Sequence, residues 1–430
     1  MYDLIVIGAG WAGFNAALRA KELGLKVCLV EVDKIGGTCL NRGCIPTKAF
    51  IASAKTFSLV KKADNLGVEL ENPRINFTKI QARKNRIVSE LAQGMQGRLA
   101  GIDFLNSNAK ISSVDTVQVE GRILKSKFIL IATGSHPAQL EQLKFDAAKV
   151  ISSAEILDLP EQPESLLVIG GGVIGCEFAN LFSVLGSRVT LVEKMPFLLP
   201  GVDQEIARKI EAVFQKKGIK VNTQADLTAL NLLEYARVLV CVGRNANLSN
   251  LGLEGLGLNL LNQRIAVNDY LETNIDNIYA AGDCASDLML AHFASYQGVT
   301  AVENMFLREK KSVRNALVPA GIFTDPEIAS VGLSQAQALK LGLAVKINKI
   351  DFRASAMARI TDESDGFIKL MSDEQSGRII GGAIIGPRAT ELIATVTLAI
   401  AAHFKLGQLR EMIFTHPTLS ESLQQAVILK

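Results

Sequence analysis

The segment Leu4–Gly13 has the sequence LIVIGAGWAG, and this short stretch decides the fold. The apolar run Leu4–Ile7 is typical of a strand that is buried in a parallel sheet. Gly8, Gly10 and Gly13 then complete a GxGxxG pattern, in which a loop without side chains brings backbone N–H groups close to a pyrophosphate at the start of a helix. We therefore predict a dinucleotide-binding βαβ unit at the N-terminus.

The residues that follow complete this unit at the expected spacing. The helix is predicted to run to about Leu23, and the second strand, Val27–Val30, ends at Glu31. An acidic residue about twenty positions after the glycine loop binds the ribose hydroxyls in such units, so Glu31 is the predicted ribose ligand. Trp11 is a bulky residue inside the loop, and we expect it to pack over the dinucleotide or over neighbouring chain.

The same pattern occurs a second time in the chain. Leu166–Ile169 forms the strand, and GGGVIG supplies Gly170, Gly172 and Gly175 before a second helix. The next strand ends at Glu193, whose carboxylate would bond a free ribose 2′-hydroxyl and repel a 2′-phosphate. We therefore predict NAD rather than NADP at this site. The alternative is that Glu193 is only a solvated charge at the end of a strand.

A close cysteine pair, Cys39 and Cys44, lies in the sequence GGTCLNRGCIPTK soon after the first unit. Two dinucleotide sites on one chain imply one resident redox cofactor and one exchanging partner, and FAD, NAD and a dithiol together form a sensible electron relay. We expect the glycines, Asn41 and Pro46 to give an irregular backbone that brings the two sulfurs together. A zinc site would need a second ligand cluster, which the sequence lacks. Two buried, inert cysteines are the remaining alternative.

Composition favours a large enzyme of the cell interior. The 430 residues are enough for two to four domains, and the net charge of +3 gives no reason to expect nucleic acid or an anionic membrane as partner. Six cysteines in a chain of this length do not form a secreted disulfide framework. Met1 lies almost directly before the first strand, so we expect no leader and a cytoplasmic location. The apolar stretch Ile393–Phe404 is too short to span a bilayer and is predicted to be a buried helix, without membrane insertion.

Six motifs give the chain a family resemblance that runs nearly from end to end. They are GGTCLNRGCIPTK, IATGS, GGGVIGCE, AAGDC, IGPRATELI and HPTLSE, at residues 36–48, 131–135, 170–177, 280–284, 385–393 and 416–421. In these motifs the chain resembles the pyridine nucleotide–disulfide oxidoreductases, and within them the dihydrolipoamide dehydrogenases. The resemblance implies an α/β fold with two Rossmann-like FAD/NAD(P)-binding domains and an α+β C-terminal dimerisation domain. The implied domains are 1–140 for FAD, 141–244 for NAD, 245–312 returning to the FAD domain, and 313–430 for the interface.

The resemblance also implies a role for individual residues. Cys39 would be the sulfur that exchanges with substrate, and Cys44 the one against the flavin. Lys48 and Glu177 would pair near the reactive edge of the flavin. Further implied cofactor contacts are Thr38, Gly134, Gly243, Gly282 and Asp283.

His416 and Glu421 have a physical interpretation of their own. Disulfide exchange requires a thiolate, and a histidine beside Cys39 could remove and return the proton while a carboxylate orients the imidazole. A histidine before proline is, from sequence alone, more often a turn or helix-start residue. In the resembling family this pair comes from the other subunit, so a homodimer is implied. Phe414 occupies a position where close relatives often have another histidine, which is not the base.

The implied reaction is oxidation of protein-bound dihydrolipoamide to lipoamide, with NAD⁺ as acceptor, through FAD and the Cys39–Cys44 disulfide. The implied partner is a lipoyl-bearing carrier domain or a small dithiol. An NADH-dependent reductase of another small or carrier-bound disulfide is the alternative, and a flavoprotein scaffold without turnover is a third hypothesis. A redox pair near the C-terminus is excluded, because Cys284 is the last cysteine.

One segment departs from the family pattern. The first nucleotide unit has a predicted three-stranded meander at Ala109–Ser113, Thr116–Val119 and Arg122–Lys125, followed by a closing strand at Phe128–Thr133. In the second unit Asn222–Arg237 has room for only one short element. We therefore predict a smaller NAD domain with its activity retained.

Overall fold

The computed structural model describes residues 1–314 and 317–428, which divide into two units. The first unit consists of Met1–Ala49, Lys79–Ala138 and the segment that begins at Gly243. The second consists of Phe50–Thr78, Gln139–Val242 and the segment that begins at Leu317. The four-part domain division drawn from the sequence stays a prediction.

Helices and strands alternate along most of the described chain. Up to residue 138 they are β1 (Tyr2–Ile7), α1 (Trp11–Glu22), β2 (Val27–Glu31), α2 (Gly37–Arg42), α3 (Cys44–Lys61), α4 (Phe77–Arg98), β3 (Asp103–Asn106), β4 (Ala109–Ser113), β5 (Thr116–Val119), β6 (Arg122–Ile131) and β7 (Ser135–Pro137). From 139 to 242 they are β8 (Val150–Ile151), β9 (Ser165–Ile169), α5 (Val173–Leu185), β10 (Arg188–Val192), α6 (Gln204–Lys216), β11 (Lys220–Asn222) and β12 (Arg237–Val240). From 243 to 314 they are β13 (Arg244–Ala246), β14 (Leu260–Leu261), β15 (Arg264–Ile265), β16 (Ile278–Ala280) and α7 (Ala291–Phe306). From 317 onward they are β17 (Ala320–Ile322), β18 (Glu327–Gly332), α8 (Gln335–Lys340), β19 (Val345–Asp351), α9 (Ala356–Ile360), β20 (Phe367–Asp373), β21 (Ile379–Gly386), α10 (Ala389–Ala401), α11 (Leu406–Glu411) and α12 (Glu421–Ile428).

The first unit is built on a sheet of strand order β3-β2-β1-β6-β5-β4, with β16 paired to β6. The sequence predicted the last meander strand and the closing strand of the unit as separate elements, and this is wrong. They form one continuous strand, β6, whose residues Arg122–Lys125 pair antiparallel with β5 and whose residues from Ser126 pair parallel with β1. A strand can do this because its two edges bond independently, so a meander grows out of the parallel sheet without a turn.

Helix α7 packs directly on the backbone of α1 in this unit. A Cβ at Gly298 would lie 2.1 Å from the carbonyl oxygen of Ala12, so only glycine permits the approach. Both helices contribute alanines to one buried cluster with β1 and β2, which keeps the glycine loop before α1 in a fixed place.

The second unit contains a parallel sheet of strand order β11-β10-β9-β12-β8. The connection from β11 to β12 has no three-stranded meander, as predicted, but it holds two short elements where the sequence predicted one. It forms two short 3₁₀ turns, Leu227–Ala229 and Leu232–Glu234. Their first N–H groups are capped by side chains, because Asp226 accepts from the Thr228 N–H at 2.9 Å and Asn231 from the Leu233 N–H at 3.2 Å.

The same unit holds an antiparallel sheet of strand order β17-β18-β21-β20-β19. A buried ion pair, Lys369 to Asp203 at 2.8 Å, joins β20 to the start of α6. Helix α10 was predicted to be buried, but only one of its faces is, since Leu398 is 67% exposed. No helix among the described residues is long and apolar enough to cross a bilayer.

Candidate active site

The two glycine loops have nearly the same geometry. A Cβ at Gly13 would lie 1.8 Å from the carbonyl oxygen of Gly8, and one at Gly175 would lie 1.9 Å from that of Gly170. Each helix therefore starts against the backbone of its own loop, which no larger residue would allow. The sequence pattern predicted both loops on a different ground, that their glycines let backbone N–H groups approach a pyrophosphate.

Both helices begin without a side-chain cap. The residues before α1 and α5 are Gly10 and Gly172, and a Cβ at either would meet nothing within 4 Å. The first-turn N–H groups of a helix have no partner within it, so an anion placed there would complete their hydrogen bonds and be stabilised by the helix dipole. The loops fit the pyrophosphates of FAD and NAD.

The acidic residue of each unit is buried and bonded to its own loop. Glu31 accepts from the Ala9 N–H at 2.6 Å and from the Asp33 N–H at 2.9 Å. Glu193 accepts from the Gly171 N–H at 2.6 Å and from the Met195 N–H at 2.7 Å. Each carboxylate oxygen keeps a second lone pair, so both groups fit the predicted role as ribose ligands. Burial raises the pKa of Glu31 above its usual range, despite these backbone bonds and the charge of Arg42.

The cysteine segment is more regular than the sequence suggested. Instead of an irregular loop it forms two helices, α2 and α3, which are interrupted only at Gly43. Pro46 lies in the first turn of α3, where a missing N–H breaks no helical bond. The Asn41 side chain donates to the carbonyl oxygens of Ile35 and Gly37, each at 2.9 Å, and so closes the turn before α2.

Cys39 and Cys44 lie close enough for their side chains to form a hydrogen bond, with both thiols in the reduced form. This bond and burial raise the pKa of Cys39, while Trp11 and the charge of Lys48 act to lower it. Two adjacent thiols in a polar setting are chemically suited to form and break a disulfide. No group of three or more histidine, cysteine or acidic side chains among the described residues is arranged to hold a metal.

The side chain of Arg244 connects four segments that are predicted to bind cofactor. The sequence did not indicate this role for Arg244. Its guanidinium donates to the Ser135 hydroxyl at 2.8 Å, to the Ser135 carbonyl at 2.7 Å and to the Thr38 hydroxyl at 3.5 Å. The Ser135 hydroxyl in turn donates to Asp283 at 2.5 Å. Burial lowers the pKa of Arg244, and the charge of Asp283 opposes that shift. In the sequence Arg244 is marked only by its place directly after Gly243, and the pairing of β13 with β7 that brings it to Ser135 is seen only in the structure.

His416 and Glu421 form the predicted pair in the second unit. The imidazole Nδ1 lies 2.9 Å from a carboxylate oxygen of Glu421, which is buried at the start of α12. The His416 side chain is 73% exposed, so Nε2 faces outward while Nδ1 is held. This is the arrangement in which a carboxylate fixes the tautomer and orientation of a base.

The other predicted catalytic pair is Lys48 with Glu177. Glu177 is buried at 3% exposure and accepts from the Phe323 N–H at 2.9 Å. Lys48 is half-buried on α3. Their pairing near a flavin stays a prediction.

The remaining four cysteines differ from the pair in their surroundings. Burial raises the pKa of the thiols of Cys28, Cys176, Cys241 and Cys284. Cys241 is half-buried by exposed area and the other three are fully buried. They therefore suit a role as small core residues, and not exchange with substrate.

Two family matches cover most of the chain. Residues 2–298 match Pyridine nucleotide-disulphide oxidoreductase, and residues 318–427 match the dimerisation domain of the same name. The chain belongs to this family. It is therefore a flavoprotein disulfide oxidoreductase that uses FAD and NAD, with an α/β nucleotide-binding region and a C-terminal dimerisation domain.

Several characterised proteins are similar over their full length. A dihydrolipoyl dehydrogenase from Chlamydia pneumoniae is 38% identical over 100% of this chain and 96% of its own, and one from Bacillus subtilis is 36% identical over 99% and 97%. Among solved structures, LpdA from Mycobacterium tuberculosis has a TM-score of 0.91 at 27% identity, covering 99% of both chains. The HOCl-induced flavoprotein disulfide reductase RclA from Escherichia coli has a TM-score of 0.90 at 27% identity, covering 100% of both.

Proposed function

We propose that the chain oxidises the dihydrolipoamide of a lipoyl-bearing carrier domain to lipoamide, while NAD⁺ becomes NADH and a proton. The observation that carries this proposal is the contact between the Cys39 and Cys44 thiols beside a dinucleotide loop. The names of the curated relatives, at 35–38% identity over nearly the whole chain, support lipoamide as the substrate.

In the oxidised enzyme, one thiolate of dihydrolipoamide attacks the Cys39 sulfur. The Cys39–Cys44 bond breaks, a mixed disulfide forms at Cys39, and Cys44 leaves as a thiolate. The second substrate thiol then attacks the mixed disulfide, which releases lipoamide and leaves Cys39 reduced. Each attack requires a deprotonated sulfur, and His416 Nε2 accepts the proton while Glu421 stabilises the imidazolium. Bound FAD would supply two-electron transfer to the nicotinamide, as the Cys39–Cys44 dithiol loses two electrons and two protons and returns to the disulfide.

The base acts across a dimer interface. His416 belongs to the segment that matches the dimerisation domain, and its outward Nε2 is exposed in a single chain. We propose a homodimer in which His416 of one subunit serves Cys39 of the other. Each active site would then need both chains.

Reduction of another disulfide by NADH is the second candidate. It is favoured by the likeness to RclA, which is an HOCl-induced flavoprotein disulfide reductase. That likeness is at 27% identity, against 38% for the dihydrolipoyl dehydrogenase from C. pneumoniae. Steady-state rates with dihydrolipoamide, dithiothreitol and reduced glutathione as donors decide between the two.

The test of the mechanism is His416→Ala, assayed by NADH formation from dihydrolipoamide. The rate should fall by about two to four decades, the range for loss of a general base. NADH oxidation by an artificial acceptor, which needs no thiol proton, should change little. His403→Asn is the matched control, because His403 is exposed with a left-handed backbone (φ 56°) that asparagine tolerates. A full dithiol rate in His416→Ala would overturn the assignment of the base.

Mixed dimers test the shared site. A dimer of one Cys39→Ser chain and one His416→Ala chain contains one intact site if the site is shared between subunits. Activity should then appear on mixing the two inactive parents. Inactive mixed dimers, with their composition verified by mass, would place His416 in the site of its own subunit.

A further inference from the structure

Trp11 lies beside the cysteine segment. It is the first residue of α1, directly after Gly10. The turn before α2 is tied to the same loop, because the Gly36 N–H donates to the Ala9 carbonyl at 2.8 Å. A Cβ at Gly37 would lie 2.9 Å from the Gly10 Cα, so α2, which carries Cys39, begins in contact with the backbone before Trp11.

The indole N–H of Trp11 is buried and has no hydrogen-bond partner among residues 1–314 and 317–428. Leaving a buried donor without a partner costs about 1–3 kcal/mol. The Trp11 backbone carbonyl, by contrast, is bonded, since it accepts from the Asn15 side chain at 2.8 Å. A hydrogen-bond acceptor close to the indole N–H would therefore be stabilising, and a neutral thiol is too weak an acceptor to fill this role.

The polar group that the indole acts on is the Cys39 sulfur. The Trp11 side-chain N–H lies near the Cys39 thiol, where a hydrogen bond from it would lower the pKa of that thiol against the larger raising effects of Cys44 and burial. A neutral thiol is a weak acceptor, whereas a thiolate is a strong one. The other groups acting on Cys39 are Cys44 and Lys48 of α3. Arg42, on the same helix as Cys39, is bonded to Asp33.

We propose that the Trp11 indole N–H donates a hydrogen bond to the Cys39 thiolate and so stabilises the ionised form of the exchanging sulfur and holds it in place for reaction. The donor is satisfied only when Cys39 is charged, so the bond favours the reactive state over the resting thiol. The positive charge of Lys48 stabilises the thiolate at longer range, whereas the hydrogen bond from Trp11 fixes the position of the sulfur. The proposal rests on Cys39 being the exchanging thiol, but it concerns the ionisation of that thiol and not the identity of the substrate.

The test measures the rate at which iodoacetamide alkylates each cysteine of the reduced holoenzyme as a function of pH. The thiolate displaces iodide and forms a thioether, so the rate follows the ionised fraction. Trypsin separates the two thiols, because cleavage after Arg42 places Cys39 in peptide 35–42 and Cys44 in peptide 43–48. Reduced protein is desalted without oxygen before the reagent is added, and the peptides are quantified by mass spectrometry.

The substitution Trp11→Phe keeps an aromatic ring at this position and removes the N–H donor. The midpoint of the Cys39 profile should move upward by about one pH unit, since a hydrogen bond to a charged group contributes about 1.5–3 kcal/mol and one pKa unit corresponds to about 1.4 kcal/mol. The Cys44 profile is the internal control and should move much less. Asn15→Ala is the matched variant, because it removes a bond of Trp11 that does not involve the indole nitrogen.

A second substitution guards against disturbed packing. The chain has one tryptophan, so biosynthetic replacement of tryptophan by β-(3-benzothienyl)alanine changes position 11 alone and exchanges the N–H for sulfur in a ring of the same shape. The same upward shift at Cys39 in both proteins supports the proposal. An unchanged Cys39 profile, or an equal shift at both cysteines, overturns it. An enzyme with the expected shift but no activity on dihydrolipoamide would refute the proposed substrate and leave this inference intact.

Discussion

The two dinucleotide loops share a backbone but not their surroundings. Their helices start equally close to their loops, and Glu31 and Glu193 bond equivalent N–H groups. The next positions differ. The first helix begins with Trp11, half-buried with its indole N–H fully covered, and the second begins with Val173, which is 44% exposed.

The segments after the acidic residues differ as well. Glu31 is followed by the helix pair that carries Cys39 and Cys44. After Glu193 comes a loop without a cysteine, in which the Leu199 N–H donates to the Gly171 carbonyl at 2.8 Å. A covered loop holds its nucleotide through many contacts, and an open loop lets it leave. We therefore propose that the first loop holds a resident FAD and the second an exchanging NAD.

The largest expected effect comes from adding a methyl group to each glycine loop in turn, which tests whether the two loops bind different nucleotides. Gly13→Ala places a methyl group 1.8 Å from the Gly8 oxygen, and Gly175→Ala places one 1.9 Å from the Gly170 oxygen. Each change forces a backbone shift that costs about 1–3 kcal/mol or more. We expect Gly13→Ala to lose most of its flavin, measured by absorbance of the purified protein. We expect Gly175→Ala to stay yellow while KM for NAD⁺ rises by about tenfold or more, since 1.4 kcal/mol is tenfold in affinity.

The control for both variants is Gly94→Ala. Gly94 lies inside α4, where a Cβ would meet nothing within 4 Å. Alanine is a better helix former than glycine, so flavin content and KM should be unaffected. If Gly175→Ala lost as much flavin as Gly13→Ala, the two glycine loops would not bind their nucleotides independently.

A smaller effect separates the two acidic residues. Glu193→Gln keeps the shape of the side chain and removes the charge that opposes a 2′-phosphate. The ratio of kcat/KM for NAD⁺ over NADP⁺ should fall by about 5–150-fold, which corresponds to roughly 1–3 kcal/mol for one such group. Glu31→Gln is the matched change in the first unit and should alter flavin retention without altering this ratio. Equal kcat/KM values of the wild-type enzyme for NAD⁺ and NADP⁺ would refute the proposal that Glu193 repels a 2′-phosphate.

The repeated βαβ pattern made the nucleotide units predictable, because glycine spacing and strand apolarity depend on local sterics alone. The course of β6 was not predictable in the same way. Its polar first half and apolar second half suggested two elements, and only tertiary pairing shows that they are one. The exposed face of α10 was missed for a related reason, since Leu398 is as apolar as its buried neighbours.

The site was predictable where the reacting residues belong to one short sequence motif. The cysteine pair and the His416–Glu421 pair are close in sequence, so a short spacing determines their contacts. Arg244 was missed because its partners are distant in sequence. Thr38, Ser135 and Asp283 reach it only after β13 has paired with β7 and the sheet has formed. A single sequence does not show whether an arginine is exposed or, like Arg244, half-buried among polar partners.

The smallest expected effect concerns the connection that replaces a meander in the second unit. In the first unit the meander buries Val117 completely. In the second, Leu230 packs against the core of the parallel sheet from the shortened connection, while Leu233, three residues on, is 88% exposed. If this connection takes over the covering role of a meander, Leu230→Ala should lower the free energy of unfolding by about 1 kcal/mol, and Leu233→Ala should change it by less than about 0.5 kcal/mol. The two variants match in residue type, in segment and in the atoms removed, so thermal unfolding of the holoenzymes at equal concentration isolates the difference in packing. Equal and negligible effects would mean that the shortened connection covers nothing, and that the sheet of the second unit is stable without a cover on this side.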